Sequence, residues 1–427
     1  MKRLATGLTF VLMTVFFAAC GSADKKGNTA VDENPVANQP VQEFQLKLLD
    51  LAFSGVSGMP LRPHIKNRSR AQMNIVDACL QLGQPTRAAE YIEQIANWRR
   101  WMGMADLAYY LAENGYDRQA DELVENAQGA LKTSEDIRSG RIVAAAPNPL
   151  IETLEDWRYR AVLSRIEEMR FISGTINSFD ADSKTYGDVN ASALIIRMLP
   201  DSPESFDDTL NTLRLMTQDP NFEIVHLGLM EMAELVGRNY DRVDLSTFLV
   251  EDVSPKLNKQ MPVFLRLDVL RRFADAALEN SDPASALTVL DQIEELIEPL
   301  RSSPRIYIPE QAAFVQLLHK AGEADRAKTG LQLMISVYET KRDVIVDIER
   351  AELLCRIAET AECLGGREQA LAFYTKAVEE GQVNPNSRPQ AEDLERICRS
   401  LALHTVEPTE ELWSALDAMK SGLGEPW

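Results

Sequence analysis

The side chains of this 427-residue chain that could do chemistry are four histidines, five cysteines and 65 Asp plus Glu. His64, His226, His319 and His404 are isolated, and no two stand at a spacing that would bring imidazoles to one metal ion. No metal and no cofactor is therefore expected. Glu pairs are abundant, but they recur at helical spacings on polar faces, where solvated helix surface is the plain reading. A glycosidase pair would instead need carboxylates ~5 Å apart in a cleft. The chain contains no Gly-x-Gly-x-x-Gly, no phosphate-binding Gly-x-x-x-x-Gly-Lys-Ser/Thr, no His-Glu-x-x-His, no Gly-x-Ser-x-Gly and no Cys-x-x-Cys. The expectation is a protein that is not an enzyme.

The cysteines beyond Cys20 are Cys79, Cys355, Cys363 and Cys398. Cys355 and Cys363 lie two helical turns apart, about 12 Å, and cannot bridge each other. The first reading is small buried residues at helix contacts. The sharper one is a Cys355–Cys398 or Cys363–Cys398 disulfide in an oxidising compartment.

The elements that must position these groups are helical. Long 3.6-residue apolar periods run from Val41 onward, with almost no strict alternation. Four turns share one pattern, a Gly followed five residues later by Ala: Gly83 and Ala88, Gly115 and Ala120, Gly322 and Ala327, Gly365 and Ala370. Ser281 and Ala286 make a fifth with Ser in the Gly place. Gly permits the positive φ that ends one helix, and Ala lets the next helix approach closely. The stretch 141–260 departs from the pattern, with VAAAPNPL, NSFDADSKTYGDVN and LPDSPESFDD between helical segments such as Leu154–Phe171, Ser205–Thr217 and Ile224–Val236. The pattern resumes with Val263–Leu278 and should end with Gln390–His404 and Glu410–Met419, the last helix serving as a cap.

Composition narrows the partners. A formal charge of −20 disfavours nucleic acid, whose binding rests on a cationic surface. The N-terminus has Lys2 and Arg3, an uncharged apolar run to Phe17 and two small residues, Ala18 and Ala19. That is an export signal, too short for a comfortable bilayer span. Residues 21–40 hold almost no large apolar side chains and read as a tether.

Phe17-Ala18-Ala19-Cys20 resembles the lipobox of bacterial lipoproteins. The resemblance implies cleavage after residue 19 and acylation of Cys20. Gly21, where an Asp would favour retention in the inner membrane, points to the periplasmic face of the outer membrane.

The helical pairs resemble the tetratricopeptide repeat family, most clearly in Leu353–Gly381, where Ala358, Ala370, Tyr374, Ala377 and then Pro385 fill the family's places. The fold class expected is all-α: an α-solenoid of antiparallel helical hairpins with an irregular period. Its expected parts are the signal peptide (1–19), lipidated Cys and tether (20–40), N-terminal repeats (41–140), the divergent helical region (141–260), and C-terminal repeats with their cap (261–427).

In that family the first helix of each repeat lines a concave face that holds peptides or partner helices. Alignment on the turns puts Arg70, Asp77, Tyr109, Gln316, His319, Glu359 and Glu362 there, as expected partner contacts. Function is expected to be that of a non-catalytic, lipid-anchored scaffold for another envelope protein. The alternative is a cell-wall or polysaccharide-acting enzyme, or its helical accessory domain, with a site in 141–260 built on a Glu such as Glu167 or Glu168.

Overall fold

In the computed structural model, described over residues 36–116, 118–123, 125–126, 203–220 and 222–427, every regular element is helical. The signal segment, Cys20, the tether up to residue 35, and residues 141–202 of the divergent stretch (Leu154–Phe171 with Glu167 and Glu168) lie outside the described residues. The long helices are α1 Glu43–Ser57, α2 Leu61–Gln81, α3 Pro85–Ile92, α4 Arg99–Glu113, α5 Pro203–Met216, α6 Phe222–Arg238 and α7 Val263–Glu279. They continue with α8 Pro283–Ile297, α9 Pro304–Lys320, α10 Ala324–Lys341, α11 Asp347–Cys363, α12 Arg367–Val383, α13 Ser387–Leu403 and α14 Glu410–Ser421.

The shared turns behave as their residues require. Gly83, Gly115, Gly322 and Gly365 have φ of 65°, 80°, 86° and 80°, and Ser281 has 60°. At Gly115, Gly322 and Gly365 a Cβ would meet nothing within 4 Å, so the backbone dihedral alone selects Gly. Each turn closes the preceding helix with a backbone bond reaching five residues back, as in Gln84 N to Cys79 O at 2.8 Å and Gly366 N to Ala361 O at 2.8 Å. The five paired Ala residues, 88, 120, 286, 327 and 370, are all fully buried. Ala370→Arg is therefore expected to cost more than about 2 kcal/mol, because it drives a charge between closely packed helices. An unchanged thermal melt would contradict that.

The helices form two rows. α7 pairs with α8, α9 with α10, α11 with α12, and α2 with α3, each as an antiparallel hairpin. The first helices also pack on one another in the order α6, α7, α9, α11, α13, α2, α4. Side-chain contacts show that they run parallel. His226 near the start of α6 meets Asp268 near the start of α7 at 2.9 Å, Arg305 of α9 meets Glu349 of α11 at 3.0 Å, and Asn67 of α2 meets Glu392 of α13 at 2.8 Å.

The spatial order is not the chain order. α2 and α4 continue the row beyond α13, so the N-terminal hairpins extend the array from its C-terminal side. α1 supplies the helix that pairs with α13. Gln45 Nε2 donates to Ala402 O at 2.7 Å, and Gly55 is so close to α13 that a Cβ there would lie 2.8 Å from Leu394 Cδ2.

The C-terminal end of the array is built differently from the other hairpins. A sixth positive-φ turn occurs at Thr405, φ 55°, with Val406 N bonded to Leu401 O at 2.9 Å. Five residues on, however, stands Glu410 rather than Ala. α14 does not close onto α13 as its hairpin partner but lies against α12, α13 and α1. Lys47 of α1 sits 4.1 Å over the ring of Trp413 on α14.

The cysteines are free: Cys79, Cys355 and Cys398 are buried, and Cys363 is exposed. Burial as small core residues thus describes the first three and not Cys363, and neither proposed disulfide is formed. His226 is hydrogen bonded, as its apolar setting requires.

Candidate functional site

The open side of the first-helix row carries a ladder of charges between neighbouring helices. Arg271 of α7 meets Glu310 of α9 at 2.8 Å, and Lys320 of α9 reaches Asp275 of α7 at 3.0 Å. Farther along, Arg396 of α13 meets Glu352 of α11 at 3.3 Å, and Arg70 of α2 meets Glu392 of α13 at 3.3 Å. The exposed members, Arg70–Glu392 and Lys320–Asp275, contribute little to stability. What the ladder does is hold long side chains at fixed places on one face.

The densest part lies between α11 and α13. Arg356 donates to Glu359 at 3.0 Å, Arg396 to Asp393 at 2.7 Å and Arg399 to Glu395 at 2.5 Å. The burial is unequal. The Arg356, Arg396 and Arg399 side chains keep 44%, 26% and 30% exposure, whereas Glu359, Asp393 and Glu395 keep 10%, 2% and 4%. Each Arg side chain is therefore partly exposed and lies against a carboxylate that is nearly or fully buried. Neighbouring acids hold all three in the charged form: Glu359 beside Arg356, Glu395 beside Arg399, and Glu352 with Asp393 against the desolvation of Arg396.

The carboxylates differ in their surroundings. Burial alone would raise Glu359, but Arg356, His404 and the Ser400 hydroxyl outweigh it and hold its pKa below the ordinary value. Ser400 Oγ donates to Glu359 Oε1 at 2.6 Å, so Tyr374, 2.8 Å from that same Oγ, donates to it in turn. For Asp393, burial dominates. With Glu392 and Glu352 adding to it and Arg396 opposing, its pKa is pushed up to about 7. Its Oδ2 has no hydrogen-bond partner.

All seven expected partner contacts lie on helices of the first row: Arg70 and Asp77 on α2, Tyr109 on α4, Gln316 and His319 on α9, Glu359 and Glu362 on α11. Arg70 and His319 are exposed, and Asp77, Tyr109, Gln316 and Glu362 are half-buried. Glu362 is held by Arg367 at 2.7 Å. Glu359 is not at the surface with them: it is 8% exposed, accepts from Ser400 and holds Arg356.

Sequence reading placed a helix at Gln390–His404 but no partner contact on α13, whose Arg396 and Arg399 stand at the centre of the face. The signal was present in the spacing of Glu392, Asp393, Glu395, Arg396 and Arg399 along one helix. It was hidden because the neighbours of α13 include α1 and α2, more than 300 residues earlier in the chain.

The face combines ion pairs and hydrogen bonds among partly exposed Arg and nearly buried acidic side chains. No group of three or more His, Cys, Asp or Glu is placed to hold a metal ion among the described residues. No protein-family model and no curated protein matches the chain.

Proposed function

We propose that the protein is a lipid-anchored, non-catalytic scaffold of the bacterial cell envelope that binds an extended peptide or a partner protein along its first-helix row. The observation carrying this reading is the arrangement of Arg356, Arg396 and Arg399. Three Arg side chains, each partly exposed, are held against buried carboxylates on parallel neighbouring helices. A partner's carboxylates or backbone carbonyls can take the donors that these Arg side chains do not use internally.

Because the carboxylates beneath are fixed, the face is ordered before a partner arrives, which lowers the entropy cost of binding. Anchoring through Cys20 would confine the scaffold to a membrane surface, with the periplasmic face of the outer membrane as its place. Confinement raises the effective concentration of any partner on the same surface. The acidic body, at −20, favours a protein partner over nucleic acid.

Site-specific crosslinking in intact cells tests both halves. A photoreactive group at Gln316 or Arg70 should recover one defined envelope protein, and the same group at Lys328, exposed on the second row, should not. Cys20→Ser should move the protein out of the membrane fraction. Recovery of no protein neighbour from the first-helix row would overturn the scaffold reading.

A further inference from the structure

Arg396 is shared by two acids on two helices. Its Nη1 donates to Asp393 Oδ1 of its own helix, α13, at 2.7 Å. Its Nη2 lies 3.3 Å from Glu352 Oε2 of the neighbouring first helix, α11. The two acids stand in opposite surroundings. The Glu352 side chain keeps 42% exposure and that of Asp393 only 2%. Water can therefore take the place of Arg396 at Glu352, but not at Asp393.

The walls around Asp393 supply no second cation. Gly381 of α12 is so near that a Cβ there would lie 3.5 Å from Asp393 Oδ2 and 2.7 Å from Met419 Cε of α14. Neither residue carries a charge, and Oδ2 has no hydrogen-bond partner. α1 meets α13 elsewhere, through Gly55 and Leu394. Glu392 and Arg396 of α13 face the carboxyl, as do Glu352 and the buried Cys355 thiol of α11. Glu392 is engaged by Asn67 and Arg70 of α2 at 2.8 Å and 3.3 Å, and by Arg388 at 3.5 Å. Of the groups facing Asp393, only Arg396 is a cation.

We propose that one proton on Asp393 decides which helix holds Arg396: ionised Asp393 keeps it on α13, and protonated Asp393 releases it to Glu352, where it ties α13 to α11. In the ionised form two carboxylates compete for one cation. Asp393 keeps it, because a buried charge without its partner has no solvent to turn to. A proton on Asp393 ends the competition, and a bond within one helix gives way to one between neighbours. Burial, with Glu392 and Glu352 adding to it, pushes the Asp393 pKa up to about 7 despite Arg396, which sets the change near neutrality. The consequence for binding rests on the scaffold reading, whereas the movement of Arg396 does not. A partner's carboxylate that approaches Arg396 above neutrality competes with a buried acid. In mild acid it competes with half-exposed Glu352, which water solvates in its place. The first-helix row should therefore hold an acidic partner segment more tightly in mild acid.

The test is a double-mutant cycle on the full chain, with Arg396→Gln and Glu352→Gln made singly and together. Chemical denaturation at about pH 5.5 and about pH 8.5 brackets the titration of Asp393. As a ratio of unfolding constants, the coupling of Arg396 with Glu352 should be roughly fivefold larger at the acid pH. In an Asp393→Asn background it should keep the larger value at both. Glu352→Gln alone changes a half-exposed side chain and needs no Arg396 variant. It removes a charge that opposes ionised Asp393, so it should lower the pH midpoint of the stability change by roughly 0.5. Equal coupling at both pH values, pH-dependent coupling that survives Asp393→Asn, or an unmoved midpoint in Glu352→Gln would overturn the proposal. Crosslinking from Gln316 or Arg70 decides the scaffold reading separately, so either can fail alone.

Discussion

Leu394→Ala should destabilise the protein by about 2–5 kcal/mol and remove hydrogen-exchange protection from Glu43–Ser57 as well as from Ser387–Leu403. Leu394 is fully buried on α13, and its side chain fills the space that Gly55 leaves on α1. Truncation leaves a cavity at the contact through which the N-terminal hairpins join the array. Stability in a stacked array is carried by nearest neighbours, so the loss should be local. Amides of α1, α13 and α2 should exchange faster, while those of α7 and α8 keep their rates. Gly55→Leu should act at the same contact by overpacking, since even its Cβ would lie 2.8 Å from Leu394 Cδ2. If protection is lost evenly from α1 to α14, the array is one cooperative unit and the neighbour-by-neighbour account fails. If α1 alone keeps its protection, the α1–α13 pairing is wrong.

That contact also marks the limit of what the sequence makes legible. The hairpins were readable because each is local. Gly322 and Ala327, or Gly365 and Ala370, encode a helix end and a close approach within six residues. The helices at Ser205–Thr217, Ile224–Val236 and Val263–Leu278 were readable from their apolar period, and the structure extends them by only one to two residues at most ends. The pairing of α13 with α1 had no such local code. Glu410, at the place where five other turns have Ala, is the one residue that signals a missing partner. It says only that α14 cannot close on α13, not what does.

The candidate face was legible in part for the same reason. Turn-based alignment found the right helices but could not rank burial along them, so Glu359 was placed with exposed Arg70 and His319. A heptad-scale error is enough for this, because positions three and four residues apart on a helix can face a partner or the neighbouring helix. Glu359 is drawn inward by Ser400 and Tyr374, which belong to two other helices.

Asp393→Asn should change the pH dependence of stability more than any other single substitution in the candidate face. Asp393 is 2% exposed on its side chain and has one oxygen on Arg396 and the other without a partner. Gly381 of α12 packs on it closely enough that a Cβ there would lie 3.3 Å from Asp393 Cβ. Burial, with Glu392 and Glu352 nearby, raises its pKa from 3.8 to about 7 despite Arg396. Between these two values the folded protein keeps a proton that the unfolded chain has released. The unfolded state then binds fewer protons, so stability falls as pH rises through the window. The contribution is fully present below about pH 4 and is lost as the pH approaches 7. At ~1.4 kcal/mol per pKa unit the loss is on the order of 4 kcal/mol at most. Asn cannot titrate, so the stability gap between parent and variant should shift in favour of the variant from pH 4.5 to about 7 and level off above that. Glu359 does not imitate this, because its lowered pKa gives stability that is lost only on acidification below its ordinary value of 4.5. Glu310, raised by burial, shares the sign of Asp393 but is present in both proteins and cancels in the comparison. Chemical denaturation of both proteins at several pH values measures the gap. A gap that is constant across the window would mean that Asp393 is ionised throughout, and that Arg396 outweighs its burial.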